Sequence, residues 1–329
     1  MAKRRINKQQ RRRIESQRQQ RKDRANDAVA AAHSDDALGP ELTGLVIEHF
    51  GRQLNVEASD GEVVRCHLRA NLENLIAGDR VIWQRGDETG VVVAAEARRS
   101  VLTRPDSNGR PRPVAANIDQ ALIVIAPQPQ AYANLVDRYL IASEAHNIRA
   151  LLVHNKADID SDPALESMLV RYQAIGYSVL RVSCETGEGL TNLKAALRDQ
   201  ISIFVGQSGV GKSSLVNSLL PEANTAVGAL SEATVKGRHT TTTAKLFHFP
   251  DGGDLIDSPG IREFGVQNLN RDEVDQGFRE FQPYMDHCRF RDCRHKSEPG
   301  CALLAALEAG EIYPERMHSY RQIIGELGG

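Results

Sequence analysis

The sequence predicts a multidomain α/β protein: a small β-barrel in front, a mostly parallel α/β sheet behind it, and a short helical segment stapled by a metal at the end. Three observations predict it. Short strand patterns separated by turn signals recur from Leu42 to about Leu102. From Asn117 onward, strand and helix patterns alternate, as parallel sheets require. Three of the five cysteines crowd into residues 288–301. The expected parts are a basic flexible tail over 1–39, a barrel over 40–103, the α/β domain over 104–268 and the helical metal-binding domain over 269–329.

A chain of 329 residues has the length of two or three domains. Its hydrophobic fraction of 41% is ordinary for a water-soluble chain, and no apolar run approaches the length of a membrane span. No membrane association is expected. The basic start lacks the apolar segment of a secretory signal, so the cytoplasm is the expected compartment. The cysteines are too few and too unevenly placed for a disulfide framework.

The net charge of −2 hides an asymmetry. Residues 1–24 carry eleven Lys or Arg against Glu15 and Asp23, so the tail is about +9 and the remainder about −11. Such a segment buries no core of its own. It is either a solvated leader or an arm that neutralises nucleic-acid phosphates. Residues 25–40 read as a linker.

Thr43–Phe50, Gln53–Ala58, Val63–Leu68, Arg80–Gln84 and Val91–Ala95 read as strands, with Ser59-Asp60-Gly61 as a hairpin turn. Five short strands in about sixty residues suggest a barrel of the oligonucleotide-binding type. Its aromatic platforms are sparse, Phe50 and Trp83 only, so a barrel without a ligand stays open. Arg104–Val114 reads as a Pro-, Gly- and Arg-rich connector.

Strands follow at Ala121–Ala126, Arg149–His154, Tyr177–Val182, Ile201–Val205, Lys245–Phe249 and Asp254–Ile256. Helical patterns fall at Leu135–His146, Ala164–Ile175, Leu190–Gln200 and from Ser213 to Leu220. Beyond Gly265, Arg271–Phe281, Leu303–Ala309 and Pro314–Leu327 read as helices.

The motifs sit where these strands end. Gly206, Gln207, Ser208, Gly209, Val210, Gly211, Lys212 and Ser213 form a complete phosphate-binding loop between a strand and a helix, and Ser214 continues it. Its glycines let backbone N–H groups converge on phosphates, with the helix N-terminus adding positive potential. Lys212 is expected at the outer phosphates and Ser213 on Mg²⁺. Asn155-Lys156-Ala157-Asp158 can read guanine: Asp158 accepts from the ring N–H and the exocyclic amine, which adenine cannot satisfy. Asn155 braces the loop, and the Lys156 stem covers the ring face. Ser183 and Cys184 offer a backbone N–H to the guanine carbonyl, and Cys184 reads as a packed small residue.

Asp257 follows the apolar pair Leu255-Ile256 and can face Mg²⁺ through water, while Gly260 can turn its N–H toward a γ-phosphate. Asp-x-x-Gly alone is expected about once per chain of this length by chance, so it counts only in combination. One of Thr240–Thr243 is expected to ligate Mg²⁺, with Thr241 the candidate. Ile261 stands where many GTPases hold a water-positioning glutamine, which implies slow hydrolysis or a group supplied from elsewhere. His239 is the nearest candidate, against a purely structural loop histidine. Lys212, Thr241 and His239 are thus the expected catalytic residues.

The order of these parts is rotated. In ordinary guanine-nucleotide GTPases the phosphate loop comes first and the base reader last. Here Asn155–Asp158 precede Gly206–Ser213, and Asp257–Gly260 close the set. The domain therefore reads as a circularly permuted phosphate-loop GTPase that takes GTP or GDP with Mg²⁺.

Cys288-x4-Cys293-x-His295-x5-Cys301 supplies three thiolates and an imidazole, a closed tetrahedral set for one structural Zn²⁺. His287 is a rival ligand. Arg289, Arg291, Arg294 and Lys296 surround the cluster, either as an RNA-facing surface or as solvated charge.

Rotated order, barrel and cysteine cluster together resemble the bacterial ribosome small-subunit-dependent GTPase A family, also called YjeQ or EngC. The likeness spans roughly residues 40–329 and includes Asn117-Ile-Asp-Gln120, Gly237-Arg-His-Thr-Thr-Thr242 and Asp257-Ser-Pro-Gly-Ile-Arg-Glu-Phe264. The resemblance implies binding to the small ribosomal subunit and its rRNA late in maturation, with GTP hydrolysis stimulated by the subunit. A monomer is expected. The competing reading is an RNA-binding scaffold whose nucleotide only sets affinity, and Ile261 keeps it open.

Overall fold

The computed structural model describes residues 38–51, 53–69, 72, 74–105, 110–220, 244–257 and 269–327. The basic residues 1–24, His239, Thr240–Thr243, Gly260 and Ile261 lie outside the described residues. Contacts divide the chain into two compact units, Met1–Leu75 with Arg80–Ala97, and Ile76–Asp79 with Arg98–Gly329.

The first unit is a five-stranded barrel. Its strands are β1 (Glu41–Phe50), β2 (Gln53–Ala58), β3 (Val63–Leu68), β4 (Arg80–Arg85) and β5 (Gly90–Ala95). The sheet runs β1-β2-β3-β5-β4 and closes through β4 on β1, antiparallel except for β3 on β5. Closure removes exposed strand edges, and alternate side chains fill the interior.

That interior is Val46, Leu54, Val56, Cys66, Leu75, Val81, Trp83 and Val92. Trp83 is 0% exposed, and its indole N–H donates to the Thr43 carbonyl at 3.3 Å. Two glycines make its space. A Cβ at Gly44 would lie 2.4 Å from Val56 and 2.9 Å from the indole nitrogen, and one at Gly90 would lie 2.7 Å from the ring. Trp83 is therefore core, and the expectation of an aromatic platform there is corrected. Phe50 is 40% exposed, with the Arg65 guanidinium over its ring at 4.8 Å.

The second unit opens with a hairpin, β6 (Val101–Pro105) on β7 (Pro111–Ala116). This segment was expected as a connector. In a two-stranded ribbon each strand has an unpaired side, so a proline without its N–H is tolerated.

The main sheet of this unit contains β8 (Gln120–Ile125), β9 (Arg149–His154), β10 (Ser178–Arg181), β11 (Ile201–Val205), β12 (Lys245–His248) and β13 (Asp254–Asp257), in the order β10-β9-β8-β11-β13-β12. All neighbours are parallel except β12, which returns antiparallel on β13. β8 and β11 are buried along their whole length. Covering on both faces explains why they read as continuous apolar runs. Helices α1 (Ala133–Ala145), α2 (Pro163–Ala174), α3 (Leu190–Leu197) and α4 (Lys212–Leu219) supply that cover, with Leu193, Leu197, Leu215 and Leu219 in the core against Leu122, Val124 and Phe204. Gln120, fully buried, donates to the Ala196 carbonyl and to Ser202, tying β8 to α3 and β11.

The C-terminal helices are α5 (Arg271–Gly277), α6 (Gln282–Met285), α7 (Ala302–Glu308) and α8 (Pro314–Leu327). Asn270 and Glu273 form a reciprocal capping box that starts α5. Helices α5 and α8 both pack on α1. The approach of α5 is close, since a Cβ at Gly277 would lie 2.5 Å from the Ile141 side chain. The single helix expected over Arg271–Phe281 breaks at Phe278, whose backbone is extended, before a 3₁₀ turn at Arg279–Phe281. The Gln282 amide donates to the freed carbonyls of Asp275, Gln276 and Phe278, which stabilises the break.

Candidate functional site

The phosphate loop joins β11 to α4. Gly211 precedes the helix with φ of 94°, a conformation that disfavours a side chain, and a Cβ there would strike the Asn155 amide at 2.3 Å. That close approach brings two segments together. The Asn155 amide donates to the Val210 carbonyl at 2.9 Å, and the Lys156 ammonium donates to the carbonyls of Gly209 at 2.9 Å and Gln128 at 2.7 Å. The Lys212 ammonium donates to the carbonyls of Gly206 and Gln207 at 2.7 and 2.6 Å.

A cleft of about 550 Å³ lies over this loop. Gly206, Ser208, Gly209, Gly211, Lys212, Ser213 and Ser214 line it together with Lys156 and, from the end of β13, Asp257. Its volume suits a nucleotide-sized ligand, and it sits at the carboxyl ends of parallel strands, where such sheets bind ligands.

Asp158 and Cys184 stand outside that lining; Asn155 and Lys156 tie the turn that carries Asp158 to the phosphate loop. Asp158 is exposed, and the buried Ser183 hydroxyl donates to one of its oxygens. The same hydroxyl accepts the backbone N–H of Glu185 and of Thr186, both at 3.2 Å. The two expected base-reading turns are thus held together by one side chain. Cys184 packs against the sheet core, and burial pushes its thiol above the ordinary value. Thr241, His239 and Gly260 lie outside the described residues.

The structure adds residues that carry no motif. Tyr139 of α1 takes a hydrogen bond from the Gly206 backbone, and burial raises its pKa. Phe204, Val216 and Leu255 line the cleft as apolar walls. Nothing in their sequence spacing marks them beyond membership of an amphipathic helix or an apolar strand.

The ligand atoms of Cys288, Cys293, His295 and Cys301 all lie within 4.8 Å of one another. A tetrahedral zinc with ordinary bond lengths sets its sulfurs about 3.8 Å apart and sulfur and nitrogen about 3.6 Å apart. The Cys288 and Cys301 sulfurs are 3.8 Å apart, and His295 Nδ1 lies 3.5 and 3.3 Å from them. Burial lowers the His295 pKa, which favours the neutral imidazole a metal needs. Burial, with the Cys301 and Cys288 thiols behind it, pushes Cys293 up to about 12, and a divalent cation among the thiols reverses that pressure. The donor set fits zinc.

A phosphate loop, an Asn-Lys-x-Asp turn ahead of it in sequence and an aspartate behind it, on one mostly parallel sheet in a chain that also carries a five-stranded barrel, define a circularly permuted phosphate-loop GTPase fold. A family model described as RsgA GTPase matches residues 95–267. The chain belongs to that family. Proteins named small ribosomal subunit biogenesis GTPase RsgA match almost end to end. The one from Azotobacter vinelandii is 56% identical over 99% of this chain and 98% of its own length. The one from Pseudomonas syringae is 55% identical with the same coverage. Among solved structures, YjeQ from Thermotoga maritima aligns with a TM-score of 0.73 and 31% identity, over 88% of this chain and 99% of that one. YloQ, described as a circularly permuted GTPase, aligns with a TM-score of 0.69 and 28% identity, over 88% and 96%.

Proposed function

We propose that the chain is a GTP hydrolase that binds the small ribosomal subunit and serves its late assembly, with turnover stimulated by the subunit. The observation that carries this reading is the near-complete match, over 98% of their length, to relatives named small ribosomal subunit biogenesis GTPases. The scaffold alternative is not favoured, because those relatives are named as GTPases and the family is one of GTPases.

Within this reading, the backbone N–H groups of Gly206–Ser213 hold the phosphates and Lys212 neutralises charge on the outer ones. Asp158 reads guanine, with Asn155, Lys156, Ser183 and Cys184 shaping the base pocket. Ser213, Asp257 and Thr241 would hold Mg²⁺, which would neutralise phosphate charge during hydrolysis. Support comes from Ser213 and Asp257 lining one cleft. Gly260 senses the γ-phosphate, and His239 orients the attacking water in the role that Ile261 cannot fill. One Zn²⁺ on Cys288, Cys293, His295 and Cys301 is structural.

The partner is rRNA of the small subunit, met by the barrel, the basic tail and the Arg289–Lys296 surface. The protein acts as a monomer in the cytoplasm. No described helix is long and apolar enough to cross a membrane. Residues 1–39, 40–103, 104–268 and 269–329 are the functional parts.

GTP turnover measured alone, with naked rRNA, with large subunits and with small subunits tests the reading. Strong stimulation by small subunits only is expected. Equal rates in all four conditions would return the scaffold alternative.

A further inference from the structure

We propose that His154 is a positioning residue for guanine preference, acting through a closed ring of four side chains beneath the two base-reading turns. The inference rests on the reading of Asn155–Asp158 as the base reader and deepens it.

His154 ends β9, immediately before Asn155, and is 1% exposed. Arg181 ends β10, two residues before Ser183, and pairs with His154 in the parallel register. The Arg181 guanidinium approaches His154 Nδ1 at 3.2 Å. A guanidinium only donates, so Nδ1 accepts and the ring proton sits on Nε2. Nε2 then donates to Ser161 Oγ at 3.2 Å. Ser161, which follows the base-reading turn, hydrogen-bonds the Glu166 carboxylate of α2. Glu166 accepts both terminal nitrogens of Arg181, one at 2.9 Å, and the ring closes.

The ring links both ends of one turn to the start of the other. His154 and Ser161 flank Asn155–Asp158, and Arg181 leads into Ser183–Cys184. The backbone repeats the link, with Val182 N–H donating to the His154 carbonyl and Ala157 N–H to the Val182 carbonyl. Asp158 and the Ser183 hydroxyl that anchors it are therefore held at one offset. Reading guanine takes two hydrogen bonds to one carboxylate, so a small slip loses one of them and leaves the other. An imidazole suits the ring because its neutral form is donor and acceptor at once. Burial and the facing Arg181 cation lower its pKa, opposed by Glu166, so it stays neutral at pH 7. A buried histidine that only filled space would change stability and leave the choice of base untouched.

The experiment measures affinities for GDP and for inosine diphosphate, which lacks the exocyclic amine, together with the thermal midpoint. His154→Leu is expected to lower the preference for GDP about tenfold, the scale of one lost hydrogen bond to a charged group. His154→Gln keeps a donor and an acceptor and is expected to stay within about twofold of the parent. Arg181→Met opens the ring from its half-exposed side and is expected to reproduce the His154→Leu loss even if the buried substitution impairs folding. Asp158→Asn serves as the control for the base reader. Unchanged preference in His154→Leu or Arg181→Met, alongside its collapse in Asp158→Asn, would overturn the role of His154 alone. A His154→Gln as impaired as His154→Leu would overturn the donor–acceptor account. Unchanged preference in Asp158→Asn would overturn the base reader itself.

Discussion

Arg316 of α8 is ion-paired with Asp137 of α1, 179 residues earlier in sequence, and both side chains are almost wholly buried. Glu280 accepts from Arg316 Nε at 2.5 Å, the Tyr172 hydroxyl donates to Asp137 at 2.6 Å, and the guanidinium lies 4.4 Å over the Phe278 ring. Burial alone would disfavour the charge on Arg316, but Asp137 and Glu280 hold it firmly protonated. Burial and the Asp137 carboxylate in turn keep the Tyr172 phenol neutral. The cluster joins the C-terminal helices to the helix whose Tyr139 meets the phosphate loop at Gly206.

Breaking that pair should be expensive, because Arg316→Met leaves a carboxylate buried without its cation. A loss of about 3–5 kcal/mol is expected in urea unfolding. Adding Asp137→Asn removes one of the two stranded charges, leaving that of Glu280, and should restore part of the loss. Additive losses in the double variant would mean that the two residues act independently.

Metal removal should act locally. Cys293→Ser is expected to lose bound zinc and, in hydrogen exchange, to deprotect the segment from His287 to Ala309. Helices α5 and α8 should keep their protection, since they pack on α1. GTP affinity should change little, because the cluster lies outside the residues lining the nucleotide cleft. Metal content equal to that of the parent would point to another ligand set.

Acid should weaken the fold through His154 before the carboxylates titrate. Its folded pKa lies below the ordinary value near 6.5 because of burial and Arg181. The unfolded chain therefore binds the proton first, and stability is complete above about pH 6.5 and falls as pH drops toward the folded pKa. In protein loaded with zinc through the cysteine cluster, His295 would be a metal ligand and that imidazole would drop out of this window. Urea midpoints between about pH 6.5 and 5 should fall less steeply for His154→Gln than for the parent. Parallel curves would show that His154 titrates alike in both states.

Stimulated hydrolysis should depend on His239. The His239→Ala protein is expected to bind GTP and small subunits as the parent does, since neither the phosphate loop nor the base reader is touched. It should lose most of the subunit-stimulated rate, about 10²-fold or more for a group that positions water or a proton, and little of the basal rate. Normal stimulated turnover in single-turnover measurements would return His239 to a structural role.

Much of this molecule is written in short stretches of sequence. The motifs Gly206–Ser213, Asn155–Asp158 and Cys288–Cys301 could be picked out because each chemistry they suggest needs fixed residue types a few positions apart, and the structure brings the first two together and gathers the four side chains of the third. Strands such as Gln53–Ala58 and Ile201–Val205 and the helix Pro314–Leu327 were legible too, because periodicity and turn residues act through neighbouring backbone. The rotated order of motifs, a purely linear property, already specified a permuted sheet.

Tertiary structure decided which side chains meet. Trp83 could have been a surface platform or a core residue, and only the absence of a Cβ at Gly44 and Gly90 puts it inside. The β6–β7 hairpin was hidden because its prolines signal a connector, whereas an edge ribbon tolerates them. Arg316 with Asp137, and His154 with Arg181, Ser161 and Glu166, read in the sequence as ordinary charged and polar residues on helices and strand ends. Their roles come from burial, which makes a charge or an imidazole costly unless a partner distant in sequence arrives at hydrogen-bonding distance, and no local pattern encodes that arrival.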